Sequence, residues 1–327
     1  MNTRHGRLVV RACANYDWPS ANLGLAGSAD VTTPLAASEI KRRVQTAGDF
    51  LANLLFLGLI RIARLLPYRR RLRFMSNVMH YVAVPLAGWH KRVRANLALI
   101  WPELPDSEAR KITRSVADTF GRMLIELYSA KEFTAPERIA SLSGPGLEAL
   151  KSTRAAGRPV VLVTGHFGNF LMLSPAVTQM GMEIGVLYRR QTNRFFNPHY
   201  VDALRSVNKQ LFEESKRGMV QMVKYLQKGG MIGILTDVRV PRAPRLDFLG
   251  QPAETSTVPA ELALKHDAAL IPIYAIRRPD GESFDVVVDA EIPHTDPVTM
   301  TKAANQSLAR MVEQHPGQWF WVHRRWK

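Results

Sequence analysis

The chain has 327 residues, 44 Lys+Arg against 28 Asp+Glu, a formal net charge of +16 and a mean hydropathy of −0.12. With 46% hydrophobic residues it can bury a sizeable core; its hydropathy excludes a polytopic membrane protein, and the lack of long polar tracts excludes a mainly disordered chain. A single cysteine, Cys13, excludes an internal disulfide framework and a Cys-rich zinc site, leaving a basic globular protein that seeks something anionic.

Residues 1–45 mix Asn, Ser, Thr, Gly and Pro without sustained periodicity and are expected to form a loose N-terminal tail. They hold basic residues but no apolar core of about 7–15 residues and no cleavage pattern, so no secretory signal is expected. The bulk of the chain is therefore expected on the cytoplasmic side, which also suits one cysteine.

Residues 46–130 are expected to be a helical, membrane-associating region. Between Phe50 and Pro102 there is no Asp or Glu, but there are nine cations: Arg61, Arg64, Arg69, Arg70, Arg71, Arg73, Lys91, Arg92 and Arg94. The stretch opens with the apolar segment Phe50–Ile60, and Pro67 is expected to end its helix. A spanning helix needs roughly 20 predominantly apolar residues. The uninterrupted run Leu54–Ile60 is much shorter, so the helix is expected to lie in the headgroup layer. Arg61, Arg64, Arg69, Arg70, Arg71 and Arg73 would then face anionic lipid. A tilted span with snorkelling arginines and an amphipathic helix packed on the domain are the alternatives.

Asp106-Ser107-Glu108 marks a helix start, and Ile112, Val116, Phe120, Met123, Leu124 and Leu127 recur at helical spacing to about Tyr128. In residues 131–327 helices and strands alternate. Strands are expected at Val160–Thr164, Ile184–Tyr188, Met231–Leu235, Leu270–Ile276 and Phe284–Asp289. Helices are expected at Gly146–Ala156, Leu171–Met180, Gly218–Gln227 and Thr257–His266. That alternation predicts an α/β domain whose mostly parallel or mixed sheet is flanked by helices, with antiparallel pairing near the end. Ligand groups in such folds gather where strands end and helices begin.

Dinucleotide, phosphate-loop, zinc-protease and nucleophile-elbow signatures are absent, and no histidines sit at metal spacing with an acidic partner. Nucleic acid is a weak prospect, because the cations crowd beside an apolar helix and no reading module accompanies them. One segment stands out: strand Val160–Thr164 runs through Gly165-His166-Phe167-Gly168-Asn169-Phe170 into a helix. A strand-end histidine flanked by glycines that permit close approach is placed to act as a general base. A structural histidine is the competing account of the same residue.

Thr164–Phe170 resembles the His-Phe-Gly-Asn-aromatic signature of the lipid A biosynthesis lauroyl/myristoyl acyltransferases, within the lysophospholipid acyltransferase superfamily. Arg92-Val93-Arg94-Ala95-Asn96-Leu97 with Trp101-Pro102, Tyr188-Arg189-Arg190 with Asn193 and Asn197-Pro198, Gly229–Asp237 with Asp247–Pro252, and Gln318–Lys327 resemble further family segments in the same order. The resemblance covers about residue 50 to the C-terminus and is most specific in the last segment.

The resemblance implies transfer of a fatty acyl chain from an acyl carrier protein or CoA thioester to a hydroxyl of a lipid A precursor or related lipid at the membrane. It implies His166 as general base, Gly168, Asn169, Arg189, Asn193 and Asp237 in substrate binding, and neither cofactor nor metal. The basic face would meet phosphorylated glycolipid and an acidic carrier.

One departure matters. The family pattern is His-x4-Asp/Glu, with the acid orienting the histidine, and here that position is Leu171. Another carboxylate such as Asp237 or Glu126 reaches His166 in space, or His166 works alone, or the chain is a catalytically impaired lipid-binding relative. Asn169 can hold the ring but supplies no charge.

Overall fold

The computed structural model describes residues 35–327. The first 34 residues of the expected tail lie outside the described residues. Residues 35–45 are helical: helix α1 runs Leu35–Arg64. Ala36, Ala37 and Lys41–Arg43 are strong helix formers, and Arg43 pairs with Glu39 at 3.2 Å, one turn earlier.

One stripe of α1 lies against the rest of the protein, with Asn53, Ile60 and Ala63 buried. Phe56 meets the rings of Tyr128 and Phe196 edge-on, at 6.2 and 4.7 Å. The outer stripe exposes Leu51, Leu54, Leu55 and Ile62. By length and composition, Arg42–Arg64 is long and apolar enough to cross a membrane.

After a turn, Pro67 precedes α2 (Tyr68–Val78), in keeping with a proline stop. Arg71 departs from its expected place in a lipid-facing cluster. It is 7% exposed, and its guanidinium donates to Ser129 Oγ, to a Glu132 carboxylate oxygen and to the carbonyls of Arg64 and Leu66. Helical spacing turns it inward while Arg70 and Arg73 stay exposed. A π-helical turn, Met79–Ala83, and a short turn, Val84–Leu86, extend α2. Next come α3 (Trp89–Ile100) and α4 (Asp106–Leu127), the latter within a residue of its predicted end.

The α/β domain carries β1 (Ile139–Ser143), α5 (Leu147–Ala155), β2 (Val160–Thr164), α6 (Leu173–Gln179), β3 (Ile184–Tyr188), α7 (Asn197–Val207) and β4 (Gln210–Glu213). It continues with α8 (Lys216–Gln227), β5 (Met231–Leu235), β6 (Arg245–Phe248), β7 (Gln251–Glu254), α9 (Val258–His266), β8 (Ala269–Arg277), β9 (Phe284–Val288) and α10 (Pro297–Gln314). Seven strands form one sheet in the order β1-β9-β8-β2-β5-β3-β4; every pairing is parallel except β8–β9. β6 and β7 form a separate hairpin.

Period-two alternation sorts the strand β2 side chains onto both faces. Val160 and Leu162 pack with residues of α5, α6 and α7, while Val161 and Val163 pack with residues of α8, α9 and α10. Both faces are covered, as a parallel sheet requires. The site described next sits at the carboxyl edge of its central strands.

Candidate active site

Strands β2 and β5 pair in parallel register from Val160↔Met231 to Thr164↔Leu235. Two residues beyond the last pair stand His166 and Asp237. The carboxylate accepts the His166 backbone N–H at 2.7 Å through Oδ2 and lies 2.9 Å from ring Nδ1 through Oδ1. Gly165 between strand and histidine leaves room for this approach: a Cβ there would meet Leu308 at 2.7 Å and Asp237 Oδ2 at 3.1 Å.

Asp237 is fully buried on its side chain. Burial pushes its carboxyl up, but the charges of His166 and His323 and their hydrogen bonds outweigh this and hold it well below the usual range. An ionised carboxylate only accepts, so Nδ1 of His166 donates to it.

The C-terminal segment closes over this pair. Phe167 and Trp319 form an antiparallel bridge, and the His166 and Gln318 carbonyls accept from Phe320 and Gly168 N–H. Trp319 Nε1 donates to Asp237 Oδ2 at 2.9 Å, and His323 Nε2 lies 3.5 Å from the same oxygen. Burial drives His323 down to about 4 against the pull of Asp237, so it is neutral near pH 7. His166, Asp237 and His323 also bring ligand atoms within 4.8 Å of one another, the kind of set a metal ion can use. Here the carboxylate already accepts from three N–H groups.

The segment is held from two sides. Asn96 donates to the carbonyls of Trp321 and His323 at 2.7 and 2.9 Å, and Arg92 reaches the Val322 carbonyl at 3.5 Å. Arg325, buried, donates to the Glu254 carbonyl and Thr255 Oγ1 at 2.9 and 2.7 Å. The motif around Arg92 and Asn96 is thus a clamp on the closing segment.

The expected substrate-binding residues divide. Gly168 has φ +55°, and a Cβ there would lie 1.8 Å from the Ala275 carbonyl oxygen, so it shapes the loop. Asn169 is buried; its Nδ2 donates to Glu126 at 2.7 Å and its Oδ1 accepts the Leu171 N–H. Asn193 donates to the Asp49 carbonyl on α1 and accepts from the Phe195 and Phe196 amides. Each of these two amides ties its loop to a distant helix, Asn169 to α4 and Asn193 to α1.

Arg189, half-buried, follows β3, the strand beside β5. Near it, burial raises Glu214 to about 7 against the opposing charge of Arg189.

Glu126 does not take the place of the missing acid. Its carboxylate receives both terminal nitrogens of Arg277, at 2.6 and 2.5 Å, along with Asn169. Leu171 is half-buried among apolar neighbours. Sequence reasoning did not single out Trp319 or His323. The aromatic-rich ending was visible, but not its contact with Asp237.

A histidine fixed by a buried carboxylate at the carboxyl edge of a parallel sheet can take a proton from a hydroxyl. The chain belongs to the bacterial lipid A biosynthesis acyltransferases, whose sequence model matches residues 38–327. It is 29% identical over 252 residues to a lipid A biosynthesis lauroyltransferase of Escherichia coli K12, covering 72% of this chain and 78% of that one. It is 28% identical over 246 residues to a lipid A biosynthesis acyltransferase of Haemophilus influenzae (72% and 76% covered). A phosphatidylinositol mannoside acyltransferase of Mycobacterium tuberculosis CDC 1551 is 21% identical over 245 residues (73% and 78% covered).

Proposed function

We propose that this protein moves a fatty acyl group from an acyl carrier protein or CoA thioester to a hydroxyl of a lipid A precursor or related lipid, at the cytoplasmic face of the inner membrane. His166 Nε2 takes the acceptor proton as the oxygen attacks the thioester carbonyl. The imidazolium that forms is stabilised by Asp237 through Nδ1. The tetrahedral adduct collapses with cleavage of the C–S bond, and His166 returns the proton to the departing thiolate. No acyl-enzyme intermediate and no cofactor enter this scheme.

The observation that carries the proposal is the 2.9 Å contact between His166 and the buried Asp237. It supplies, from another strand, the acid absent at Leu171, and it favours an active enzyme over an impaired lipid-binding relative. Arg189, one strand away, is suited to a phosphate or the thioester region by bidentate donation. The exposed apolar stripe of α1, with Arg61, Arg64, Arg70 and Arg73 exposed nearby, supports docking on an anionic leaflet.

The test is transfer of labelled acyl chains from acyl carrier protein to a lipid A precursor, wild type against His166→Ala. Loss of turnover with retained folding is expected. Equal turnover would remove His166 from the mechanism.

A further inference from the structure

Outside α1 and the turn after it, the exposed large apolar side chains among the described residues are Tyr81, Val82, Leu86, Leu99 and Val220. Three of these share one short stretch, exposed by 64%, 50% and 85% respectively. That stretch is the π turn and the helical turn that end at Leu86. Met79 and Val84 point inward, at 5% exposure each. A π turn inserts a residue into helical spacing and re-aims the side chains after it, and such turns concentrate at functional sites.

The position is informative. Three residues past Leu86, buried Trp89 packs edge-on against Phe320 at 5.1 Å, and Phe320 lies 6.3 Å from the His166 ring. The patch therefore borders the wall of the candidate site, whereas α1 packs through Ile60 and Ala63 with Leu72, Met75 and Ile125, in a different cluster. Along its own stretch cations occur without acids: Arg73 and Lys91 are exposed, and no Asp or Glu occurs from Leu51 to Trp101. From α4, exposed Arg114 acts on His80, and the Asp118 carboxylate accepts from Ser76 and is paired with Arg122. Apolar side chains flanked by exposed cations fit an anionic lipid surface better than a protein groove.

We propose that residues 79–86 are a second membrane-insertion element. They dip Tyr81, Val82 and Leu86 into an anionic leaflet beside the His166 site, while α1 anchors the protein separately. The purpose of such an element, to let acyl chains pass from bilayer to site without crossing water, rests on the acyltransferase reading. Insertion itself does not.

The test uses the full chain with Cys13→Ser and Leu86→Cys, labelled with an environment-sensitive fluorophore, and vesicles of phosphatidylglycerol with phosphatidylethanolamine. A blue shift on vesicle addition and quenching by doxyl-labelled lipid are expected, with much less of both on phosphatidylcholine. Val82→Asp with Leu86→Asp should weaken vesicle partition by about tenfold or more, with an unchanged unfolding midpoint because both sites are exposed. A label at Leu86→Cys that stays in water while one at Leu55→Cys shifts would leave α1 as the anchor and overturn the proposal. A label already in apolar surroundings before vesicles are added would overturn it too, pointing to cover by residues 1–34 or by a second copy. No acyl transfer by the wild-type protein alongside a blue shift would refute the enzyme reading and leave insertion standing.

Discussion

His166 and Asp237 are 71 residues apart, the offset that also pairs β2 with β5 from Val160↔Met231 to Thr164↔Leu235. The imidazole and its carboxylate partner are thus the continuation of a strand register beyond the last ladder pair. Their alignment is as rigid as the two central strands, and it does not depend on a carboxylate within the same helical turn as the histidine.

Asp237→Asn should lower acyl-transfer turnover by roughly 10³–10⁴ with a smaller effect on KM, because charge and tautomer control are both lost. Leu171→Glu, by contrast, should give no gain: the orienting position is filled, and the new carboxylate would enter apolar surroundings. Steady-state kinetics on both variants check this, and a rise in turnover for Leu171→Glu would place the orienting acid elsewhere.

Stability should fall with acid over a defined window. His323 is held near 4 in the folded protein against 6.5 when exposed. The unfolded chain therefore takes up the proton first, and stability is lost as pH falls from about 6.5 to about 4, by up to about 3 kcal/mol. Asp237, depressed below its ordinary 3.8, adds stability that is present above that value and lost below it. Urea midpoints between pH 8 and 4 should drop less steeply for His323→Gln, and an unaltered slope would count against the buried neutral imidazole.

The pair of Glu126 and Arg277 is buried on both sides, with side-chain exposures of 0% and 5%. Arg277→Met should cost about 3–5 kcal/mol by leaving Glu126 uncompensated, and Glu126→Leu added to it should recover part of that loss. Because Glu126 also holds Asn169, turnover should fall in the single variant along with the denaturation midpoint.

Gly168→Ala should destabilise by at least about 2 kcal/mol and lower turnover, since its left-handed φ of +55° and the Ala275 carbonyl both oppose a methyl group. Differential scanning calorimetry alongside the transfer assay would show whether the two losses travel together.

The arginines of the basic stretch should separate by burial. Replacing exposed Arg61, Arg64, Arg70 and Arg73 by Gln should weaken flotation with anionic vesicles by about 1 kcal/mol each, more at low salt, with little change in stability. Arg71→Gln should do the reverse, because its guanidinium is paired with Glu132 and Ser129 inside the fold.

Strands β2, β3 and β5 were legible to the residue, because each is a short apolar run with sharp edges: Pro159 and Gly165 around β2, Gly229-Gly230 before β5, and charged Glu183 and Arg189 around β3. β1, β4 and the β6–β7 hairpin were not legible: Ile139–Ser143, Gln210–Glu213 and Arg245–Glu254 are edge or hairpin segments whose strands, four or five residues of mixed polarity, are too short for a period to register. Helices α7 and α10 lie in stretches where polar residues blur the period. Asn169 and Asn193 were visible as motif residues, but not as holders of Glu126 and of the Asp49 carbonyl, since those partners lie far away in sequence.

By itself, the sequence determined the order of the central strands and helices along the chain, the strand-end placement of His166, the concentration of charge and apolar surface before residue 102, and the absence of an acid at position 171. These are local properties, set by composition and spacing over a few residues. Only the tertiary structure decided which carboxylate serves His166, that the last residues seal it with Trp319 and His323, and that Arg71 faces inward. Those outcomes depend on parallel register and helix packing between segments tens to hundreds of residues apart, where a hydrogen bond of 2.9 Å is fixed by the whole sheet.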